Sequence, residues 1–284
     1  MMKLVLPKII AADIDGTLVE HGQEFSEYSR DVIECLRSHG VLFGLASGRP
    51  FEHMYGHAEK WGFHSEFDFF IGMNGAELLD LSTDEVYRFN MLEPDDIQKI
   101  VTIMHNYKCN CCVYEGADMY VQRIDDEVTA SAVRNKTINY VVEDEFYYSK
   151  ERAKLMFRFH DLEEIARAEK YFEEHPSDTY WCFRTQPCLL EFADKNTDKA
   201  NALKKYCELH GCTLNYVCAA GDNSNDNGMI SASGWGVCLL NGSEDTKMVA
   251  DAITEYDCWH DGFAHYLEDT FIIPNDLKKG EEHV

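Results

Sequence analysis

The sequence predicts an α/β fold: a doubly wound parallel-sheet core that carries an inserted α+β domain. Three observations predict it. Toward both ends of the chain, short apolar runs of strand length alternate with amphipathic stretches, the pattern of a sheet buried on both faces. Between them, from residue 77 to residue 192, strands come in pairs separated by short turns, the mark of antiparallel hairpins. Four of the five buried runs end in polar residues, and such sheets place their chemistry just beyond the carboxyl ends of their strands.

The buried runs lie at residues 8–14, 41–46, 67–72, 216–220 and 235–240. One helix fits residues 26–39 and stops at Gly40; another fits 197–210 and stops at Gly211, because glycine takes the backbone conformation that ends a helix. A third runs through 225–232. In the middle, 77–81 pairs with 86–89, 111–114 with 118–122, and 180–185 with 188–192, while amphipathic helices fit 94–106 and 162–174. The expected organisation is a core of residues 1–76 and 193–284, with residues 77–192 inserted. The polar tail from residue 275 is expected to fray.

Composition bounds the function. The 284 residues are 45% hydrophobic, with 16 Phe, 15 Tyr and 4 Trp, enough for a substantial core. Asp and Glu number 51 against 26 Lys and Arg, a formal net charge of −25. Such a polyanion repels nucleic acid and anionic membrane surfaces, so neither is an expected partner. It also repels phosphate, so a phosphate site needs its own local cations. No apolar run is long enough to span a bilayer, and the apolar stretch at the start is too short for a secretory signal. The 11 cysteines are scattered, and Cys109, Cys111 and Cys112 have no accompanying metal-ligand spacing. They read as small core residues in a reducing cytoplasm.

The densest chemistry is Asp13-Ile14-Asp15-Gly16-Thr17-Leu18, directly after the first apolar run. Two carboxylates at the end of a buried strand are costly unless something cationic holds them. The glycine and threonine that follow offer a turn, backbone N–H groups and a hydroxyl, so Mg²⁺ and a phosphate are expected to meet an aspartate nucleophile here. The other strand ends supply Ser47-Gly48-Arg49-Pro50, Met73-Asn74-Gly75-Ala76 and Gly221-Asp222-Asn223-Ser224-Asn225-Asp226.

Together with Lys199, these motifs resemble the haloacid dehalogenase-like (HAD) phosphohydrolases, and more narrowly their Cof-type sugar-phosphate phosphatases. The resemblance runs from about residue 8 to residue 267. It implies a Rossmann-like core, and it makes the insertion a C2-type cap; the segment between Asp15 and Ser47 has no room for a C1-type cap. It implies that Asp13 is the nucleophile, forming an aspartyl-phosphate, and that Asp15 gives a proton to the leaving oxygen and later takes one from water. Mg²⁺ is implied at the Asp13 carboxylate, the Asp15 backbone carbonyl and Asp222, an all-oxygen set suited to a hard cation. Ser47 and Gly48 would hold the phosphoryl oxygens, and Lys199, which opens a helix, would offset their charge. Lys195 is the rival for that lysine. Asn225 would bind phosphate or position Asp222, with Asp226 behind it and Thr17 beside it.

Some assignments stay open on the sequence alone. Asn74-Gly75 is either a tight turn or a substrate contact. Arg49 reads as an ion-pair partner rather than a ligand, and the histidines as solvated or core residues. Ala200, Trp235 and Gly242 depart from the family pattern without removing a reacting group. The expected activity is Mg²⁺-dependent hydrolysis of a small phosphorylated metabolite, a sugar phosphate first, under a mobile cap. Arg123, Arg158 and Arg184 are candidate specificity residues. A phosphomutase with the same nucleophile, or a non-catalytic metal or phosphate sensor, are the alternatives. Nothing in the sequence fixes an oligomeric state.

Overall fold

A computed structural model describes residues 5–20, 24–63 and 67–277, apart from the side chain of residue 134. The first four residues and the tail beyond residue 277 lie outside the described residues. The chain forms two compact units: one reaches to Tyr87 and resumes at Asp198, and the other is Arg88–Thr197.

The first unit begins with β1 (Ile9–Ala12), β2 (Leu42–Ala46), β3 (Phe69–Gly72), β4 (Glu77–Asp80) and β5 (Glu85–Arg88). Helix α1 (Glu27–Ser38) links β1 to β2, and α2 (Phe51–Lys60) links β2 to β3. The second unit holds α3 (Pro94–Met104), β6 (Cys109–Glu115), β7 (Asp118–Val121), α4 (Asp126–Asn135), β8 (Asn139–Val141), α5 (Asp144–Tyr147), β9 (Leu155–Phe159), α6 (Leu162–Glu174), β10 (Tyr180–Gln186) and β11 (Leu189–Asp194). The chain then returns to the first unit through α7 (Lys199–Leu209), β12 (Val217–Gly221), α8 (Asn227–Ala232), β13 (Trp235–Cys238), α9 (Glu244–Val249) and β14 (Ala252–Ile253), and α10 (Gly262–Leu267) follows.

The core sheet has the order β14-β13-β12-β1-β2-β3-β4-β5. β1 is its hinge. It pairs in parallel with β2 on one side and with β12 on the other, with Ala12 opposite Leu45 and Ala220. Winding therefore reverses between β1 and β12, and the crevice where ligands bind such sheets opens at their carboxyl ends. All four residues of β1 are buried, as expected for a strand covered on both faces. On one of those faces α1 buries Val32, Ile33 and Leu36 in the main core cluster. Its N-terminus is capped by Ser26, which accepts from the Ser29 N–H at 2.9 Å.

The boundary of the insertion differs from the sequence expectation. The strand pair assigned to it from residue 77 belongs to the core sheet: β4 runs antiparallel to β3, with Leu78 opposite Ile71 and Leu79 opposite Phe70. The cause is a tight reversal at Met73-Asn74-Gly75, where all three residues have positive φ (50°, 57° and 101°). It lays Leu78 and Leu79 back onto the apolar edge of β3, and both are buried. At the other end, the insertion continues past residue 192 to Thr197, because β11 stays paired with β10 through Asp194.

The second unit is a six-stranded sheet, β10-β11-β9-β6-β7-β8, with a core of its own. Its two expected hairpins, β6/β7 and β10/β11, are present. The sequence pattern does not predict β9 between them, nor β8, α4 and α5.

Asp80, which ends β4, shows how the core is fixed. It is 2% exposed and accepts hydrogen bonds from Ser82 N (2.9 Å), Ser82 Oγ (2.7 Å) and His210 Nε2 (2.8 Å). Burial pushes its carboxyl upward, but the Ser82 and His210 bonds outweigh burial and hold it below the ordinary carboxylate value. A depressed carboxyl contributes stability above its unfolded value and loses it as pH falls through the folded value. Replacing His210 with Ala should therefore lower the urea midpoint at neutral pH, and the deficit should shrink as pH falls through the folded carboxyl's range.

Candidate active site

Each strand exit delivers one part of the site, and all of them lie in the first unit. Asp13 follows β1 directly, and its N–H still bonds Ala220 O at 3.0 Å. Its carboxylate is therefore held by sheet pairing rather than by a loop. The chain then turns on Gly16, at φ +90°, where a Cβ would come within 2.6 Å of Asp222 Oδ2. Only glycine lets this turn lie against Asp222. Thr17 Oγ1 donates to Asp222 Oδ1 at 3.1 Å, and Asn241 Nδ2 anchors the turn through Gly16 O at 2.8 Å.

Lys199 is the first residue of α7 and is fully buried. Its Nζ donates to Asp13 Oδ1 at 2.7 Å and to Asp226 Oδ1 at 2.6 Å. Asp226 uses its other oxygen to accept the N–H groups of Asp222 (3.1 Å) and Asn223 (3.2 Å). One aspartate thus fixes both the lysine and the loop that carries Asp222. The rival lysine, Lys195, lies in the other unit with its ammonium 4.6 Å from the Trp181 ring centroid.

The remaining exits join through Asn74. Its N–H donates to Ser47 O at 3.0 Å, and its Oδ1 accepts from Asn225 Nδ2 at 3.2 Å. A Cβ on Gly48 would sit 3.1 Å from the same Oδ1. Ser47 is buried, and its hydroxyl accepts from the Arg49 N–H at 3.3 Å. Gly75 packs against the start of α7, where a Cβ would be 2.2 Å from Asp198 O. Asn74-Gly75 thus forms the tight turn, and the Asn74 side chain meets Asn225.

Asp15 is turned elsewhere. Its Oδ2 accepts from Arg49 Nε at 3.0 Å and Arg49 Nη2 at 2.6 Å, and its carboxylate stands outside the group formed by Asp13, Asp222 and Asp226. Arg49 is thus an ion-pair partner. Its third nitrogen meets His57 Nε2 at 3.1 Å. The sequence pattern does not single out His57, although His53 and His57 four residues apart on the helix after Arg49 are a readable signal.

Electrostatics indicate what the site lacks. Ligand oxygens of Asp13, Asp222 and Asp226 all lie within 4.8 Å of one another. Burial first, and then Asp226 and Asp222, push the Asp13 carboxyl up to about 8 against the pull of Lys199. Burial and Asp226 likewise push Asp222 up to about 6. Burial alone would lower Lys199, but Asp13 and Asp226 outweigh it and hold the ammonium above its ordinary value. Two buried carboxylates and a half-buried third against one ammonium leave negative charge for which burial provides no compensation. An all-oxygen set of this charge fits a hard divalent cation such as Mg²⁺.

The candidate specificity arginines are engaged within the second unit. Arg123 Nη1 donates to Cys109 O at 2.8 Å, and Arg184 pairs with Glu169. Arg158 is buried rather than solvated, with Glu127 at 3.9 Å.

Comparison with known proteins shows the family and the fold. Residues 10–267 match the family described as haloacid dehalogenase-like hydrolase. Over 249 residues the chain is 28% identical to 5-amino-6-(5-phospho-D-ribitylamino)uracil phosphatase YcsE of Bacillus subtilis (strain 168), covering 87% of this chain and 90% of that one. A crystal structure of a haloacid dehalogenase-like hydrolase from Bacteroides thetaiotaomicron superposes with a TM-score of 0.82 at 27% identity, over 93% of this chain and all of that one. The HAD subclass IIB sugar phosphatase BT4131 shares the fold with a TM-score of 0.81 at 20% identity, over 94% of this chain and all of that one. The chain belongs to the haloacid dehalogenase-like hydrolases and is an enzyme of their phosphatase branch.

Thr17 offers a test of the carboxylate cluster. It is 1% exposed, so Thr17→Val keeps its volume and removes only the hydroxyl that orients Asp222. Mg²⁺ affinity, read by isothermal titration, should fall about tenfold while the melting temperature without metal barely moves.

Proposed function

We propose that the protein is a Mg²⁺-dependent phosphatase of small phosphate monoesters, sugar or sugar-alcohol phosphates first, acting through a phosphate ester on Asp13. One observation carries this reading. Asp13 leaves the central strand bonded to a fully buried lysine and grouped with Asp222 and Asp226, while Asp15, two residues on, stands outside that group.

The residues divide the work. Asp13 and Asp222 would hold Mg²⁺ with the Asp15 carbonyl, and the bound ion would keep Asp13 ionised and neutralise phosphoryl charge. Asp13 attacks phosphorus in line with the leaving oxygen. Asp15 protonates that oxygen, then takes the proton of the water that frees Asp13. Lys199 offsets charge on the equatorial oxygens, and the Ser47 hydroxyl and Gly48 N–H donate to them. Asn74 and Asn225, bonded to each other, present one polar edge to the same group.

The named activity of YcsE and the sugar phosphatase BT4131 favour a polyol leaving group. The inserted unit is the place to look for residues that select it. Among the described residues no helix is long and apolar enough to cross a membrane, and all 11 cysteines are free thiols. A reducing cytoplasm is the compartment that suits them.

Phosphate release from a panel of phosphorylated metabolites, with and without Mg²⁺, tests the proposal. Asp13→Asn should lower release by at least about a thousandfold while the protein stays folded. Undiminished turnover in that variant would sink the mechanism.

A further inference from the structure

Four strands form the margins of the two sheets, and three of them are closed to further pairing. β5 carries charged ends, and β14 has only two residues. β10 is interrupted: its register with β11 shifts between Arg184 and Gln186, and Arg184 pairs with Glu169. Such devices keep edge strands from recruiting other chains.

The fourth margin, β8, lacks them. It is the last strand of its sheet and runs parallel to β7. Its extended path continues past both ends, because the Met119 N–H bonds Ile138 O at 2.9 Å and the Val142 N–H bonds Val121 O at 3.0 Å. Residues 138–142, Ile-Asn-Tyr-Val-Val, include no charge and no proline. Ile138, Tyr140 and Val141 are exposed at 59%, 42% and 58%. Backbone groups alternate in direction along a strand. Ile138 and Val142 face β7, and Tyr140 with them. Asn139 and Val141 therefore turn their N–H and C=O groups outward, where the sheet has no further strand.

We propose that two copies of the protein associate by antiparallel pairing of β8 with β8 about a two-fold axis at Tyr140, joining two six-stranded sheets into one. Symmetry fixes the register. A two-fold axis normal to the sheet returns each side chain to its own face, so one residue must lie opposite itself. With Tyr140 on the axis, Asn139 of each copy lies opposite Val141 of the other. Each of these pairs exchanges two N–H···O bonds, which uses all the outward groups of the strand. Centring on Asn139 would instead set Val141 opposite Thr137, whose N–H is already bonded to Ala132 O at 3.1 Å.

Two further observations select a second copy as the occupant. A row of stacked rings, Phe146 on Tyr120 at 4.5 Å and Tyr120 on Tyr140 at 5.0 Å between centroids, ends at this open edge. Across the axis Tyr140 meets Tyr140, and the row continues into the other copy. Charge sets the direction. Antiparallel pairing brings Lys136 of one copy toward Glu143-Asp144-Glu145 of the other, whereas a parallel meeting would set acid on acid.

Sedimentation velocity tests the pairing in physiological salt, where a Debye length of about 8 Å screens the net charge. The wild type should run as a dimer at about 100 μM, as suits a small interface. Val141→Pro removes one outward donor from each copy and leaves the ladder to β7 untouched. It should raise the dissociation constant at least about tenfold. Tyr140→Asp, which sets two carboxylates against each other on the axis, should give a monomer and keeps the test available if the proline variant folds poorly. Circular dichroism melts establish that each variant is folded. Register is read by oxidation with copper phenanthroline. Tyr140→Cys should cross-link into dimers beyond the wild-type background. Ile138→Cys should not, because its two copies would lie about 13 Å apart.

A monomeric wild type would overturn the dimer and leave the edge to a strand of another protein. Dimers unmoved by either folded variant, or cross-linking through residue 138 rather than 140, would overturn the pairing equally. None of these readouts depends on phosphatase activity.

Discussion

The buried ammonium of Lys199 is the interaction on which the rest of the site depends. It joins the aspartate that leaves β1 to the aspartate that braces the loop after β12, and so ties together the two strands between which the sheet reverses. Removing one partner of such a buried group costs about 3–5 kcal/mol, because the remaining charges cannot regain water. The neighbourhood is built to keep that lysine in place. Asp198 caps its helix through the Ala200 N–H at 2.7 Å. Gly75 and Gly228 both lie so close to Asp198 that a Cβ on either would come within 2.2 Å of it. The chain thus re-enters the first unit at a point gripped from the β3–β4 turn and from α8.

The same packing accounts for the excess negative charge of the site. Lys199 balances one of three carboxylates, and sheet pairing and backbone bonds stop the other two from moving apart. A fold held this way cannot relax its charge by opening slightly; it must take up protons or a cation. The proposed phosphate chemistry would use the second option, since a cation that satisfied the carboxylates would also attract an anionic substrate across the repulsion of a chain with a net charge of −25.

Much of this is legible in the sequence, for physical reasons that can be named. The core strands are readable because burial on both faces leaves an uninterrupted apolar run. The motif residues are readable because polar clusters at the ends of buried strands are costly unless a ligand or an opposite charge meets them. Pairing is what the sequence hides. The hairpin of β4 and β5 is visible as a hairpin, but not the edge it joins, since that depends on Met73 taking a positive φ, which its side chain does not advertise. β9 is obscured because Lys154 and Arg158 flank and interrupt it, yet both are buried; Lys154 is matched there by Glu191 at 3.0 Å. The grip of Arg49 and His57 on Asp15 is a tertiary contact, and spacing along the chain only hints at it.

The antiparallel end of the core sheet has a consequence for how copies of the protein meet. A parallel sheet that stopped at β3 would offer a flat, greasy ribbon of unpaired backbone to any neighbour, the usual seed of aggregation. Here that edge is closed by β4, and the outermost β5 shows solvent the charged ends Glu85 and Arg88. The far margin finishes in β14, only two residues long. Both rims of an eight-stranded sheet are therefore poor templates for another strand, so the core can concentrate its buried apolar surface without becoming adhesive.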